Sequence, residues 1–111
     1  MIFITGPLYS GKRTYACEAL GCTMEELAGR AVWDAQALAA GCGDLEALVD
    51  KLAQYEVVIA TEVGGGVVPL DGAQRSAREA AGRLSCLLAQ RADRVVRVFC
   101  GLPVILKGED R

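Results

Sequence analysis

The sequence predicts a single α/β domain over residues 1–111, with a mostly parallel sheet in three layers, and three observations lead there. First, a short apolar run at 1–4 leads into Gly6-Pro7-Leu8-Tyr9-Ser10-Gly11-Lys12-Arg13-Thr14 and then a helix-forming stretch, the order of a strand, a glycine-rich turn and a helix. Second, two more short β-branched runs, 56–61 and 94–100, alternate with segments of helical periodicity. Third, a chain of 111 residues that is 52% hydrophobic but only 5% aromatic can fill one core of Ala, Val, Leu and Ile and has no room for two.

The turn matches G-x-x-x-x-G-K, in which glycines let backbone N–H groups face phosphate oxygens at a helix N-terminus and the lysine reaches the terminal phosphates. Residues Gly6, Pro7, Leu8, Tyr9, Ser10, Gly11, Lys12, Arg13 and Thr14 are therefore the candidate nucleotide-binding loop, with Lys12 its catalytic cation. The next position normally carries the hydroxyl that ligates Mg²⁺, and here it is Arg13. Thr14 follows, but one helical residue further on turns a side chain by about 100°, away from the metal position. The competing reading is a glycine-rich β-to-α turn that binds nothing.

Further along, 13–20 reads as a short helix ending at Gly21, and Thr23 with Glu26 has capping-box spacing for a brief turn before Gly29. Residues 31–33 form a short apolar run ending in Asp34, the arrangement of a buried strand whose last residue emerges at the carboxyl edge, where open α/β sheets bind ligands. Asp34 either orients Mg²⁺ or activates a substrate hydroxyl opposite Lys12, or it caps a helix over 35–40. Trp33 is expected in the core. Asp44 caps a helix over 45–54 whose buried stripe is Leu45, Leu48, Val49 and Leu52.

The run 56–61 is a continuous, buried strand that delivers Glu62 and then Gly64-Gly65-Gly66 to the same edge. Three consecutive glycines raise the entropic cost of ordering a loop, so they suit close approach to a ligand or partner chain. Glu62 is the second candidate acid and, with Asp34, a possible metal ligand; the alternative is a flexible connector. Asp71 with Gln74 caps a helix over 72–91, with Ala77, Ala81, Leu84 and Leu88 inward. Arg75, Arg78, Glu79 and Arg83 share its outer face, either as i, i+4 ion pairs or with Arg75, Arg78 and Arg83 as phosphate or substrate contacts. Residues 94–100 form the last strong strand, 104–106 an edge strand and 107–111 a polar tail.

Composition narrows the function. A net charge of −2 and a pI near 5.1 argue against a nucleic-acid surface, and no basic block suggests a membrane. The start has no basic flank or cleavage site, and no apolar run could span a bilayer, so a cytoplasmic protein acting on small molecules is expected. Five cysteines without a C-x-x-C pair indicate reduced structural thiols. The chain has no histidine, which removes Ser-His and Cys-His systems and any phospho- or nucleotidyl-histidine.

From residue 57 onward the chain resembles a known family. Thr61-Glu62-Val63-Gly64-Gly65-Gly66-Val67-Val68-Pro69, then Arg75-x-x-Arg78-Glu79-x-x-Gly82-Arg83, Ala92-Asp93 and Gly101-Leu102-Pro103 are similar to the adenosylcobinamide kinase/adenosylcobinamide-phosphate guanylyltransferase family of cobalamin biosynthesis. Its own phosphate loop lies where residues 6–14 lie. The resemblance covers about two-thirds of the chain, taking the loop and the motif run together. It implies a RecA-like P-loop domain that assembles as a trimer, uses ATP or GTP, phosphorylates cobinamide, and then attaches GMP through a guanylylated histidine.

The acidic residue ending the family's second core strand falls at Asp34. Four departures stand out: the chain is shorter, with the loss before Val57 where the histidine-bearing segment belongs; it has no histidine; Arg13 replaces the loop hydroxyl; and Ser85-Cys86 replace Asn-Gln. Three functions remain as alternatives. One is a reduced cobinamide kinase in which Lys12, Asp34 and Glu62 act, with Mg²⁺ left open. The others are a non-catalytic relative that senses nucleotide or assists assembly, and a small phosphotransferase for another substrate.

Overall fold

The computed structural model describes residues 1–62 and 71–108. The expected glycine run at 64–66, with its flanking residues 63 and 67–70, and the end of the polar tail at 109–111 lie outside the described residues. Within them the chain forms β1 (Ile2–Gly6), α1 (Lys12–Leu20), α2 (Met24–Leu27), β2 (Ala31–Val32), α3 (Gln36–Ala39), α4 (Leu45–Leu52), β3 (Val57–Thr61), α5 (Gly72–Arg91), β4 (Arg94–Phe99) and β5 (Leu102–Lys107).

The sheet order is β2-β3-β1-β4-β5. β1 pairs in parallel with β3 and β4, β2 pairs in parallel with β3, and β5 is antiparallel to β4. Strand alternation divides the core in two. Phe3, Val58, Ala60 and Val95 face α3, α4 and α5, whereas Ile4, Val57, Ile59, Val96 and Val98 face Ala16 of α1 and Leu27 of α2. The three-layer α/β architecture read from the sequence is the one observed.

The helices follow from their caps and stripes. Thr23 and Glu26 form the expected capping box on α2, and Asp71 and Gln74 form one on α5. The Asp44 side chain accepts from the Ala47 N–H at 3.1 Å, and Val49 and Leu52 of α4 are buried with Leu45 and Leu48 packed against them. On α5, Ala81, Leu84 and Leu88 are buried; removing a leucine side chain of this kind from water contributes about 1.5–3 kcal/mol.

Two local expectations change. β2 is only two residues long, so Trp33 stands beyond it, and α3 is shorter than expected, with Ala35 at its N-cap and no capping side chain. Asp34 therefore does not cap α3 through its carboxylate. β5 is longer than expected: Cys100 and Gly101, at φ +52° and +76°, form a two-residue turn between the paired Phe99 and Leu102. Positive φ at both central positions matches the twist of a hairpin.

Candidate functional site

β1 lies between β3 and β4 and is parallel to both, so the carboxyl ends of all three strands lie at one edge. Gly6 ends β1 at φ +151°, and a Cβ there would stand 2.2 Å from the Val98 carbonyl oxygen and 2.9 Å from Ser10 Oγ. Only glycine fits so close an approach. Gly11 turns the chain into α1 at φ +93° without a side-chain cap, leaving the first-turn N–H groups to face outward. The turn after β4 braces the loop, because the Gly101 N–H donates to the Ser10 carbonyl at 2.8 Å.

Inside the loop, Lys12 is only 8% exposed and its Nζ donates to the Pro7 carbonyl at 2.6 Å. Burial lowers its pKa; Asp34 and Glu62 oppose that, while Arg13 adds to it. Ser10 is 5% exposed, and its buried hydroxyl has no hydrogen-bond partner among the described residues. Such an orphan is uncommon in a folded chain and calls for an explanation such as a missing ligand. Tyr9 crosses the loop tip at φ +58° and is 94% exposed.

A cleft of about 470 Å³ opens beside this loop. Residues 8–14 form one wall, with Met24, Trp33, Asp34, Ile59 and Thr61 across from them. Of the expected loop residues, Gly6 and Pro7 shape it from behind, through the close approach to Val98 and the bond to Lys12. Asp34 sits at φ +57°, and its carboxylate makes no hydrogen bond or ion pair among the described residues. Trp33 is not purely a core residue: it packs against the α1 side of the sheet and carries the Arg13 guanidinium 5.6 Å from its ring centre.

Glu62 is differently placed. Its two carboxylate oxygens accept from Arg97 Nε and Nη2 at 2.7 and 2.9 Å, which holds its pKa below the ordinary glutamate range. Arg97 reaches it across β1, where it registers with Thr5, and lies 5.3 Å from the Phe99 ring. Sequence reasoning missed Arg97; the available signal was a charge in the middle of a β-branched strand, which must find a partner. Of the α5 arginines, none lines the cleft. Arg83 borders a separate groove with Asp44, Leu45 and Cys86. Glu79 and Arg83 form no ion pair among the described residues.

Mg²⁺ takes hard oxygen ligands in near-octahedral geometry. This cleft offers the Asp34 carboxylate and, one position past the usual one, the Thr14 hydroxyl, while a guanidinium stands where the ligating hydroxyl belongs. Both Glu62 oxygens are engaged by Arg97. The residues present are a poor fit for the ion.

The fold and the loop define an α/β protein of the phosphate-loop class. More narrowly, the chain belongs to the cobinamide kinase / cobinamide phosphate guanyltransferase family, whose profile matches residues 17–106. It is also similar to the bifunctional adenosylcobalamin biosynthesis protein CobP of Pseudomonas aeruginosa, 39% identical over 70 residues that make up 60% of this chain. Those residues span 40% of that relative's length. The loop at 6–14 lies entirely before the stretch that the family profile matches.

Proposed function

We propose that this chain binds the polyphosphate of ATP or GTP in the loop at 6–14 and transfers the terminal phosphoryl group to a hydroxyl of a cobinamide-like acceptor. The observation that carries this reading is the loop interior: a buried lysine of lowered proton affinity beside an unpartnered buried hydroxyl. Lys12 and the first-turn N–H groups of α1 would hold the phosphates. The free Asp34 carboxylate on the opposite wall would accept the proton of the acceptor hydroxyl as its oxygen attacks the terminal phosphorus and the bond to the leaving diphosphate breaks. Guanylyl transfer through a histidine finds no residue here, since the chain has none. Action in the cytoplasm, as a single domain assembled into a trimer, belongs to the same proposal.

The test is transfer of label from γ-labelled ATP or GTP to adenosylcobinamide by the wild type, Lys12→Ala and Asp34→Asn. Transfer abolished by Lys12→Ala and reduced about 10²- to 10⁴-fold by Asp34→Asn fits a general base in that position. Transfer unaffected by Asp34→Asn removes Asp34 from the chemistry. A second reading, a nucleotide-binding relative without turnover, is favoured by one observation: Glu62 is closed off by Arg97. Nucleotide binding with no transfer to any cobinamide would establish that reading instead.

A further inference from the structure

Arg13 stands where a loop of this class needs a metal-ligating hydroxyl, yet its side chain is not idle. Its guanidinium lies over the Trp33 ring at 5.6 Å, and among the described residues it has no hydrogen bond or ion pair. Stacking of this kind fixes the plane of the group while leaving its N–H donors available at the edges. Both residues line the cleft beside the loop. A cation is thus held beside Lys12 with no ion-pair partner among the described residues.

The electrostatics point the same way. Arg13 disfavours the charged form of Lys12, so two neighbouring cations face one cavity and an anion between them would relieve both. The Ser10 hydroxyl, in a residue only 5% exposed, is unpartnered among the described residues and marks the inside of the loop as a place for a polar group. A divalent ion beside the guanidinium would meet like-charge repulsion, and Asp34 is the one carboxylate that lines the cleft among the described residues.

We propose that this loop grips a nucleoside polyphosphate without a divalent metal, Arg13 held on Trp33 supplying the cation that Mg²⁺ supplies elsewhere. The proposal rests on the phosphate-site reading above and adds how charge is neutralised there. Lys12 and Arg13 carry two positive charges, and the α1 N-terminus adds roughly half of one. With Mg²⁺ in place of the guanidinium the same loop would carry about one charge more, so the arginine replaces half of the ion's charge and adds directional N–H donors. A guanidinium fork also engages two phosphate oxygens at once, which fixes geometry as well as charge.

Calorimetric titration of the full chain with ATP, in Mg²⁺ and separately in EDTA, tests the proposal. The wild type should bind equally well or better in EDTA. Arg13→Ser, which restores a hydroxyl, should weaken binding in EDTA about tenfold through loss of a charge-assisted pair, and Mg²⁺ should recover part of that loss. Trp33→Leu, which keeps apolar bulk but removes the ring, should weaken binding in EDTA by a smaller factor. Arg13 is exposed, so its variants should unfold at the wild-type temperature.

Wild-type binding that requires Mg²⁺, and that Thr14→Val abolishes, would overturn the proposal while leaving the phosphate site standing. So would Arg13→Ser binding as tightly as the wild type in EDTA. No binding in either condition, or binding that survives combined Lys12→Ala and Arg13→Ser, would overturn both the proposal and the phosphate-site reading.

Discussion

Substituting Gly6 by alanine isolates the close packing on which the loop depends. The added Cβ would lie 2.2 Å from the Val98 carbonyl oxygen, against an ordinary carbon-to-oxygen contact of about 3.3 Å. Roughly 1 Å of overlap must be removed by moving β4 away from β1, a forced shift of the kind that costs about 1–3 kcal/mol. Holding a non-glycine residue at φ +151° adds about 1–3 kcal/mol. The sum, about 2–6 kcal/mol, is a large part of the roughly 5–15 kcal/mol that stabilises a typical domain.

At about 4–8 °C per kcal/mol for a chain of this size, the unfolding midpoint should fall by roughly 10–50 °C. Gly21→Ala is the control. Gly21 also has positive φ, +64°, but a Cβ there meets nothing within 4 Å, so that variant should lose about 1–2 kcal/mol through backbone conformation alone. Thermal unfolding followed by circular dichroism would compare the two. Equal shifts would refute the claim that a β4 carbonyl dictates glycine at the end of β1.

Three further outcomes are expected from the same structure. The Arg97–Glu62 pair depresses the glutamate pKa, so its stabilisation is present above the ordinary carboxylate range and disappears as pH falls through the lowered value. With both side chains more than a third exposed, it amounts to under about 1 kcal/mol, and urea titrations should show the wild type's advantage over Arg97→Leu shrinking in acid. Asp71→Ala removes the capping side chain that accepts from the Gln74 N–H at 2.8 Å and should destabilise the chain by about 1 kcal/mol, read as a shift in urea midpoint. Because burial lowers the Lys12 pKa, the empty protein gains stability as pH rises through that value. Phosphate binding, which needs the charged amine, should weaken over the same interval, and calorimetry of ATP binding between about pH 7 and 10 would show it.

What could be read from the sequence divides along physical lines. The capping boxes at Thr23-Glu26 and Asp71-Gln74, the stripe of α4 and the buried run 57–61 are local codes, and each appears where its spacing places it. The strand, turn and helix over 2–20 were legible for the same reason. Contacts across the sheet were not: Arg97 meets Glu62 only because β4 and β3 flank β1, an order that no local pattern states. The Arg13–Trp33 stack likewise depends on where a two-residue strand happens to end. A helical wheel groups Arg83 with Arg75 and Arg78 around an axis but says nothing of position along it, so the groove that Arg83 borders beside α4 was not legible either.

The match to the family begins at Cys17, after the loop, yet the loop is held in shape by strands that lie inside the match. Val98 of β4 sets the glycine at position 6, the turn at Cys100-Gly101 supplies the N–H that holds the Ser10 carbonyl, and Glu62, leaving β3, donates its own N–H to the Gly6 carbonyl at 2.9 Å. The braces on this turn thus come from the two strands paired with β1, both within the matched stretch. A chain that kept those strands but lost the loop's ligand would be under no chemical pressure to bury Lys12, whose desolvation works against its charge. A buried lysine and a buried hydroxyl unpartnered among the described residues, in one braced loop, form the arrangement expected when an anion completes it, and that is the physical ground for the phosphate-site proposal.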